Sequence, residues 1–373
     1  MGPRLRDRLR TGPSQNRGPP PVKDVPRRRP RQSDIARLAG VSQATVSIVI
    51  NERHSDTVRI PPETRRRVLE VARSLGYVPD PVARSLAGRA NRLIGVYTFE
   101  SMFPMDHHDF YHPFLVGIEA TAEELGYDML MFTSATRSDG GRAIYRDGVN
   151  RLRLADGCVL LGKETDRADL ARLRDEGFCF TLIGRRDVPG GGITYVTADY
   201  AAATERVVDH LVALGHERIA YLTAAEPSEP SADRDAGFWA AQARHGFPTD
   251  GFILPIHKDS DPPVEDIKRL LTAGATAVLS HESVVAMRVI DILTGLGVDV
   301  PGDCSVAALN DPPDAAPHPE LTGFVIPRRE MGARAVQLLA QQIESPLDID
   351  PQSVTLPCAF LAGATSAQRR KES

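Results

Sequence analysis

The stretch Ile35-Ala-Arg-Leu-Ala-Gly-Val-Ser-Gln-Ala-Thr-Val-Ser-Ile-Val-Ile-Asn51 decides how the first part of this chain folds. Ile35, Leu38 and Ala39 share one face at the i, i+3, i+4 spacing of an amphipathic helix, and Ser33 is placed to cap it. Gly40 permits a tight turn, and Val41 plugs the angle between two helices. Ser42 is a second N-cap. The helix that follows turns Val46, Val49 and Ile50 inward and Gln43, Ala44, Ser47 and Ile48 outward. Two short helices joined at Gly-Val-Ser make a helix-turn-helix. A third helix is predicted from Glu63 to Leu75, with Val68, Ala72 and Leu75 aligned and Gly76 ending it. Its Arg65-Arg66-Arg67 run has two readings, a solvated face or a set of phosphate contacts.

On the N-terminal side, residues 1–31 are Arg, Pro and Gly with few apolar side chains. Such a segment buries too little surface to offset its ordering entropy, so a disordered basic tail is expected. On the C-terminal side, Asp80-Pro-Val-Ala-Arg-Ser-Leu-Ala-Gly88 has a cap, a Pro at the first helical position and a Gly stop. Two turns are unstable alone in water, so this hinge helix should form only against a partner.

From Leu93 the texture changes to alternating strands and helices. Apolar runs at Leu93–Phe99, Asp128–Phe132, Gly157–Leu161, Cys179–Ile183, Arg218–Leu222, Gly251–Ile256, Ala277–Ser280 and Cys304–Leu309 read as strands. Amphipathic runs at His112–Leu125, Tyr200–Leu214, Pro263–Ala273, Ser283–Leu296 and Arg329–Ile343 read as helices. This alternation means an α/β fold with parallel sheets, and its length splits into two lobes. The expected division is tail 1–31, head 32–78, hinge 79–91 and core 92–365. Within the core, the N-lobe takes 92–195 and 321–344, and the C-lobe takes 196–320 and 345–365.

The formal net charge of −4 hides an asymmetry. Residues 1–91 hold 19 Lys and Arg against 8 Asp and Glu, and the rest holds 26 against 41. A basic head of net +11 on an acidic body of net −15 is the footprint of a nucleic-acid binder. Cys158, Cys179, Cys304 and Cys358 form no Cys-x-x-Cys pair and read as reduced, packed thiols. No apolar run is long enough for a membrane span, and the Arg-rich start lacks a secretory h-region, so a cytoplasmic protein is expected.

The head stretch closely resembles the lactose-repressor (LacI) family. The match extends through Thr64-Arg-Arg-Arg-Val-Leu69, Leu75-Gly-Tyr77 and the hinge Pro81–Gly88. In the core, Ile94-Gly-Val96, Leu125-Gly-Tyr127, His210-Leu-Val-Ala-Leu-Gly-His216 and Val300-Pro-Gly-Asp303 fit the same family. The resemblance covers residues 32–365. It implies a three-helix head and a two-lobed core like that of periplasmic sugar-binding proteins. It further implies a homodimer on a pseudo-palindromic operator, controlled by a small-molecule effector, a sugar or sugar derivative, with no cofactor. By position it implies that Ser42, Gln43, Ala44, Thr45, Ser47, Ile48 and Asn51 face DNA. Leu86 would be a minor-groove wedge.

Several positions depart from the family. Ile48 stands where many members carry Arg, which can read guanine with two hydrogen bonds; an Ile makes only apolar contact, as with a thymine methyl. Where an Asn-Asp pair commonly binds sugar hydroxyls, this chain has Glu282 and Ser283. Arg234 matches the family's pocket Arg, and it is expected on a loop at the cleft edge. Having lost the acceptor at 283, the pocket is expected to favour a sugar acid, a phosphorylated sugar or a less polar glycoside, unless Glu282 or Asp311 replaces the lost acceptor. Phe110 and Tyr111 fall where aromatics line the cleft, and ordinary core packing is the other reading. His281 reads as a surface residue. His107, His108 and Asp109 invite a metal reading, but adjacent residues rarely converge on one ion. Neither a phosphate loop nor a Gly-x-Ser-x-Gly elbow occurs, so an enzyme is not expected.

Overall fold

A computed structural model of the chain describes residues 30–50, 60–77, 91–99, 110–133, 142–162, 166–257, 260–311, 320–345 and 350–370. The expected tail up to residue 29, the loop with Asn51, the hinge with Leu86 and the segment with His107, His108 and Asp109 lie outside them, while Arg31, expected in the tail, is the N-cap of the first helix. The chain divides into two compact units, Met1–Ala83 and Arg84–Ser373.

In the first unit, helices α1 (Gln32–Ala39), α2 (Gln43–Ile50) and α3 (Pro62–Ser74) pack around Ile35, Ala39, Val46, Val49, Val68 and Ala72. Two sequence expectations need correction. Helix α1 starts one residue before Ser33, and Asp34 closes its first turn by accepting the Arg31 N–H at 2.9 Å. Leu38 is 54% exposed, and Ala36 takes the inward place expected of it. Gly40 sits at φ 65°, the left-handed conformation that lets the chain turn so sharply into α2. Ser42 does cap α2, its Oγ accepting the Thr45 N–H at 3.1 Å. The arginine run divides by role. Arg67 donates to the Ala39 carbonyl at 2.9 Å and pins α3 to the end of α1, while Arg66 stays exposed on the solvent side beside Glu70.

The second unit holds two parallel sheets. In chain order its strands are β1 (Leu93–Thr98), β2 (Asp128–Phe132), β3 (Tyr145–Arg146), β4 (Val149–Asn150), β5 (Gly157–Leu161), β6 (Phe180–Ile183), β7 (Tyr195–Ala198), β8 (Ile219–Ala224), β9 (Ile253–Ile256), β10 (Ala277–Ser280), β11 (Ser305–Ala308), β12 (Gly323–Val325), β13 (Ser353–Leu356) and β14 (Ala359–Leu361). Its helices are α4 (His112–Glu124), α5 (Arg167–Asp175), α6 (Tyr200–Ala213), α7 (Glu229–His245), α8 (Val264–Thr272), α9 (Ser283–Gly295) and α10 (Arg328–Glu344). The N-lobe sheet runs β13-β7-β6-β5-β1-β2, and the C-lobe sheet runs β11-β10-β8-β9. Strands β5 and β10 are buried along their whole length, as expected for parallel strands covered on both faces.

Strand β13 corrects the lobe boundary: Ser353–Leu356 pairs with Tyr195–Ala198 in the N-lobe sheet, although residues 345–365 were expected in the C-lobe. Helix α7 was not foreseen at all. Ser228 caps it, and Pro230 occupies its first turn, where a missing N–H costs nothing. In each lobe a pair of helices touches at glycine. A Cβ on Gly117 of α4 would lie 1.9 Å from the Arg329 carbonyl oxygen, and one on Gly237 of α7 would lie 2.2 Å from that of Ala201.

Candidate functional site

On α2, Ser42, Gln43 and Ala44 are exposed, and Thr45, Ser47 and Ile48 are half-buried. The inward places of this helix belong to Val46 and Val49, which leaves Gln43 and Ala44 at its start exposed. The Ser42 and Thr45 hydroxyls lie 2.9 Å apart, so the capping pair is itself part of the open face.

The second unit contains a cavity of about 540 Å³, within the range of small-molecule sites. Its walls are the segments that leave the carboxyl ends of strands in both sheets: Leu161-Gly162, Ile183-Gly184, Thr223–Ala225, Ser280–Glu282 and Asn310. That edge is where open parallel sheets bind ligands. The N-lobe side is largely apolar and aromatic. Phe110 meets Tyr111 and Phe114 edge to face at 5.4 and 5.5 Å. Tyr111 and Phe114 are buried core residues, Phe110 packs half-buried against the same core, and all three line the cavity.

Arg234 lines the cavity from α7, not from a loop, and is only 8% exposed. Its Nε donates to the Leu309 carbonyl at 2.6 Å and one Nη to that of Pro230 at 3.0 Å, while the guanidinium stands 4.2 Å from the Tyr200 ring centroid. No described carboxylate lies within ion-pair distance of it. Arg186, from the segment after β6, faces the cavity from the N-lobe with Glu229 at 3.7 Å. Burial pulls its pKa down, against the pull of Glu229.

Glu282 lines the cavity, and its carboxylate accepts the Asn310 amide at 2.7 Å. Ser283 is buried behind it and donates to the Asp311 carbonyl at 2.7 Å, so it does not line the cavity. Asp311 is committed elsewhere, to the Ile326 N–H at 2.6 Å and to Arg328 at 2.5 Å. Burial nevertheless raises its pKa, against the attraction of Arg328. Of the two acceptors expected to replace a lost Asp, Glu282 lines the cavity and Asp311 does not. His281 contradicts its surface reading: it is 4% exposed and lines the cavity. The signal available in sequence was its place at the end of β10, next to a switch from apolar to polar residues.

The cysteines lie apart from the cavity wall. Burial pushes the thiols of Cys304 and Cys358 up to about 12, which leaves them inert. Among the described residues no helix is long and apolar enough to cross a membrane.

Comparison with known proteins agrees with both halves. Residues 33–80 match "Bacterial regulatory proteins, lacI family", and residues 208–366 match "Periplasmic binding protein-like domain". The chain is 28% identical to catabolite control protein A of Priestia megaterium, over 87% of this chain and 95% of that one. It is 28% identical to the transcriptional repressor PurR of Photobacterium profundum, over 83% and 91%. It is 27% identical to the transcriptional regulator CelR of Thermobifida fusca, over 85% and 93%. Among solved structures, a lac repressor dimer bound to operator and the anti-inducer ONPF has the same fold, with a TM-score of 0.66, 24% identity and 91% and 100% coverage. A CelR–cellobiose complex matches with a TM-score of 0.61, 24% identity and 90% and 100% coverage. With a lacI-type DNA-binding head, a periplasmic-binding-protein-like core and transcriptional regulators as relatives along most of its length, the chain has the domain make-up of the lacI-family regulators it resembles.

Proposed function

We propose that the protein is a repressor that binds a pseudo-palindromic operator as a homodimer, and that a sugar or sugar derivative in the core cavity sets its occupancy. In this reading Ser42, Gln43, Ala44, Thr45, Ser47, Ile48 and Asn51 meet the major groove, and Leu86 enters the minor groove between two base steps. Ile48 reads a thymine methyl where an arginine would read guanine. Phe110, Tyr111, Arg234 and Glu282 hold the effector, and Ser283 shapes the wall from behind. The protein works by binding and not by turnover, as its relatives are named regulators, and it acts in the cytoplasm where its operator lies.

The observation that carries this reading is the placing of the cavity. Its walls come from both sheets. A ligand that bridges two lobes favours the arrangement in which both walls touch it, and so shifts the population of core conformations. By linkage the same preference changes affinity for a second ligand, here DNA. The test is selection of bound DNA from a random pool, with and without pooled metabolites. An inverted repeat with half-sites about one helical turn apart should be enriched, and its recovery should change with metabolites. Enrichment of no inverted repeat would sink the reading.

A further inference from the structure

Strands β8 and β10 run side by side, with Leu222 opposite Ser280. Three donors from this region converge on one carboxylate. Tyr221 donates to Asp235 Oδ1 at 2.7 Å, Thr223 donates to the same oxygen at 3.0 Å, and His281 Nε2 lies 3.0 Å from it. The Tyr221 hydroxyl also lies in hydrogen-bond contact with His281 Nε2. Asp235 stands on α7 directly after Arg234. Burial pulls its pKa up, but hydrogen bonds from His281, Tyr221 and Thr223 outweigh this and hold it below the usual carboxylate range. An ionised carboxylate only accepts, so the shared proton of His281 sits on Nε2. In the neutral ring Nδ1 is then the acceptor, and no described residue bonds it. A carboxylate behind an imidazole fixes ring and tautomer for whatever the other nitrogen meets.

The neighbouring groups complete the picture. Glu282 adds a second acceptor beside His281, with Asn310 occupying part of its capacity. Among the described residues the hydrogen-bond partners of the buried Arg234 are two carbonyls, whereas Arg186 across the cavity has Glu229. Glu226 and His257 at the rim are mostly exposed and pair with each other at 3.4 Å. We propose that His281 is a specificity-determining residue whose Nδ1 accepts a ligand hydroxyl, positioned by Asp235 and Tyr221, and that the effector is an acidic polyol. Its carboxylate or phosphate meets Arg234, and its hydroxyls meet His281 and Glu282. This assignment rests on the reading of the cavity as the effector site.

The experiment is calorimetric titration of the full chain with D-glucuronate, D-gluconate and D-glucose 6-phosphate, and with neutral D-glucose and D-glucuronamide. At least one acid should bind about tenfold or more tightly than its neutral counterpart, the step expected of one charge-assisted bond. The carboxylate and phosphate arms separate the two sources of the anion. His281→Gln removes the group at Nδ1 and should weaken the acid about tenfold. His281→Asn puts an amide oxygen near the place of Nδ1 and should restore most of that loss. Circular dichroism melting confirms that both variants are folded. In the free protein, imidazole nitrogen shifts should show a proton on Nε2 and none on Nδ1. Failure of every acid to bind, or equal affinity of wild type and His281→Gln, overturns the assignment. So does equal loss in the Gln and Asn variants. Operator binding by the wild-type chain separates the two readings. If only a neutral sugar alters it, the regulatory reading stands and this assignment falls. If an acid binds with the His281 dependence described and operator affinity does not move, His281 stands as a ligand contact, while the regulatory reading falls and the acid is not an effector.

Discussion

Replacing Gly117 by Ala would insert one methyl group where α4 touches α10. The added Cβ would sit 1.9 Å from the Arg329 carbonyl oxygen and 3.0 Å from the Ala333 nitrogen. Ordinary contact begins at 3.4 Å, so the two backbones must part by about 1.5 Å at this point. The facing helix has no slack to offer, because a Cβ on Gly332 would itself meet the Phe114 carbonyl oxygen at 2.3 Å. Overpacking of this kind costs about 1–3 kcal/mol. In a core of this size each kcal/mol lowers the midpoint by roughly 2–4 °C, so a fall of about 2–12 °C is expected. Gly295, the last residue of α9, is the control. No atom would come within 4 Å of its Cβ, and it has no left-handed φ, so Gly295→Ala should stabilise by about 0.5–1 kcal/mol. Scanning calorimetry of the full chain reads both. A Gly117→Ala protein that melts at or above the wild-type temperature would refute the close helix contact.

Three further outcomes follow from the same structure. Arg234→Ala should lower effector affinity about ten- to a hundredfold, the cost of one charge-assisted donor, and Arg234→Lys should recover only part because the planar fork is gone; unchanged affinity by calorimetry removes Arg234 from the site. Leu86→Ala should weaken specific operator binding and reduce DNA bending while non-specific affinity holds, and equal loss of both in gel-shift titrations would make Leu86 a packing residue. His216, bonded to Thr276 Oγ1 and the Ala367 carbonyl, and His210 both have pKa values lowered by burial. Their neutral forms are favoured in the fold, so stability is complete above the unfolded value near 6.5 and falls as pH drops below it toward the folded values. Urea midpoints between pH 8 and pH 5 should show this decline, and His216→Gln should flatten it; a decline of the same depth in the variant would exclude His216.

The head was legible because its signals are local. A glycine at φ 65°, a serine cap and two apolar faces all lie within one twenty-residue window, and each acts on its own neighbours. Leu38 escaped because apolar spacing does not reveal which of two adjoining positions, Ala36 or Leu38, points at the partner helix. The core strands were legible as buried apolar runs, but their sheet was not. Strand β13 joins the N-lobe through pairing with a segment about 158 residues away in sequence, and nothing in Ser353–Leu356 encodes that choice. Helix α7 was hidden by Pro230, a helix breaker everywhere except in a first turn. In the cavity, Arg234, Glu282, Phe110 and Tyr111 were placed by family position and do converge, whereas Ser283 stands behind the wall. His281 was missed because a histidine is read from its partners. Those partners, Tyr221 and Asp235, stand 60 and 46 residues away.

The central claim is that one chain couples operator DNA to a ligand in its core. Fluorescence anisotropy of a labelled selected operator, titrated with the full chain at fixed salt with and without the ligand found by calorimetry, tests it directly. Coupling in such systems is worth about 1–3 kcal/mol, so operator affinity should change about 5- to 150-fold at saturating ligand. Arg234→Ala should need correspondingly more ligand for the same change. Operator affinity that stays constant while calorimetry shows the cavity saturated would contradict the account.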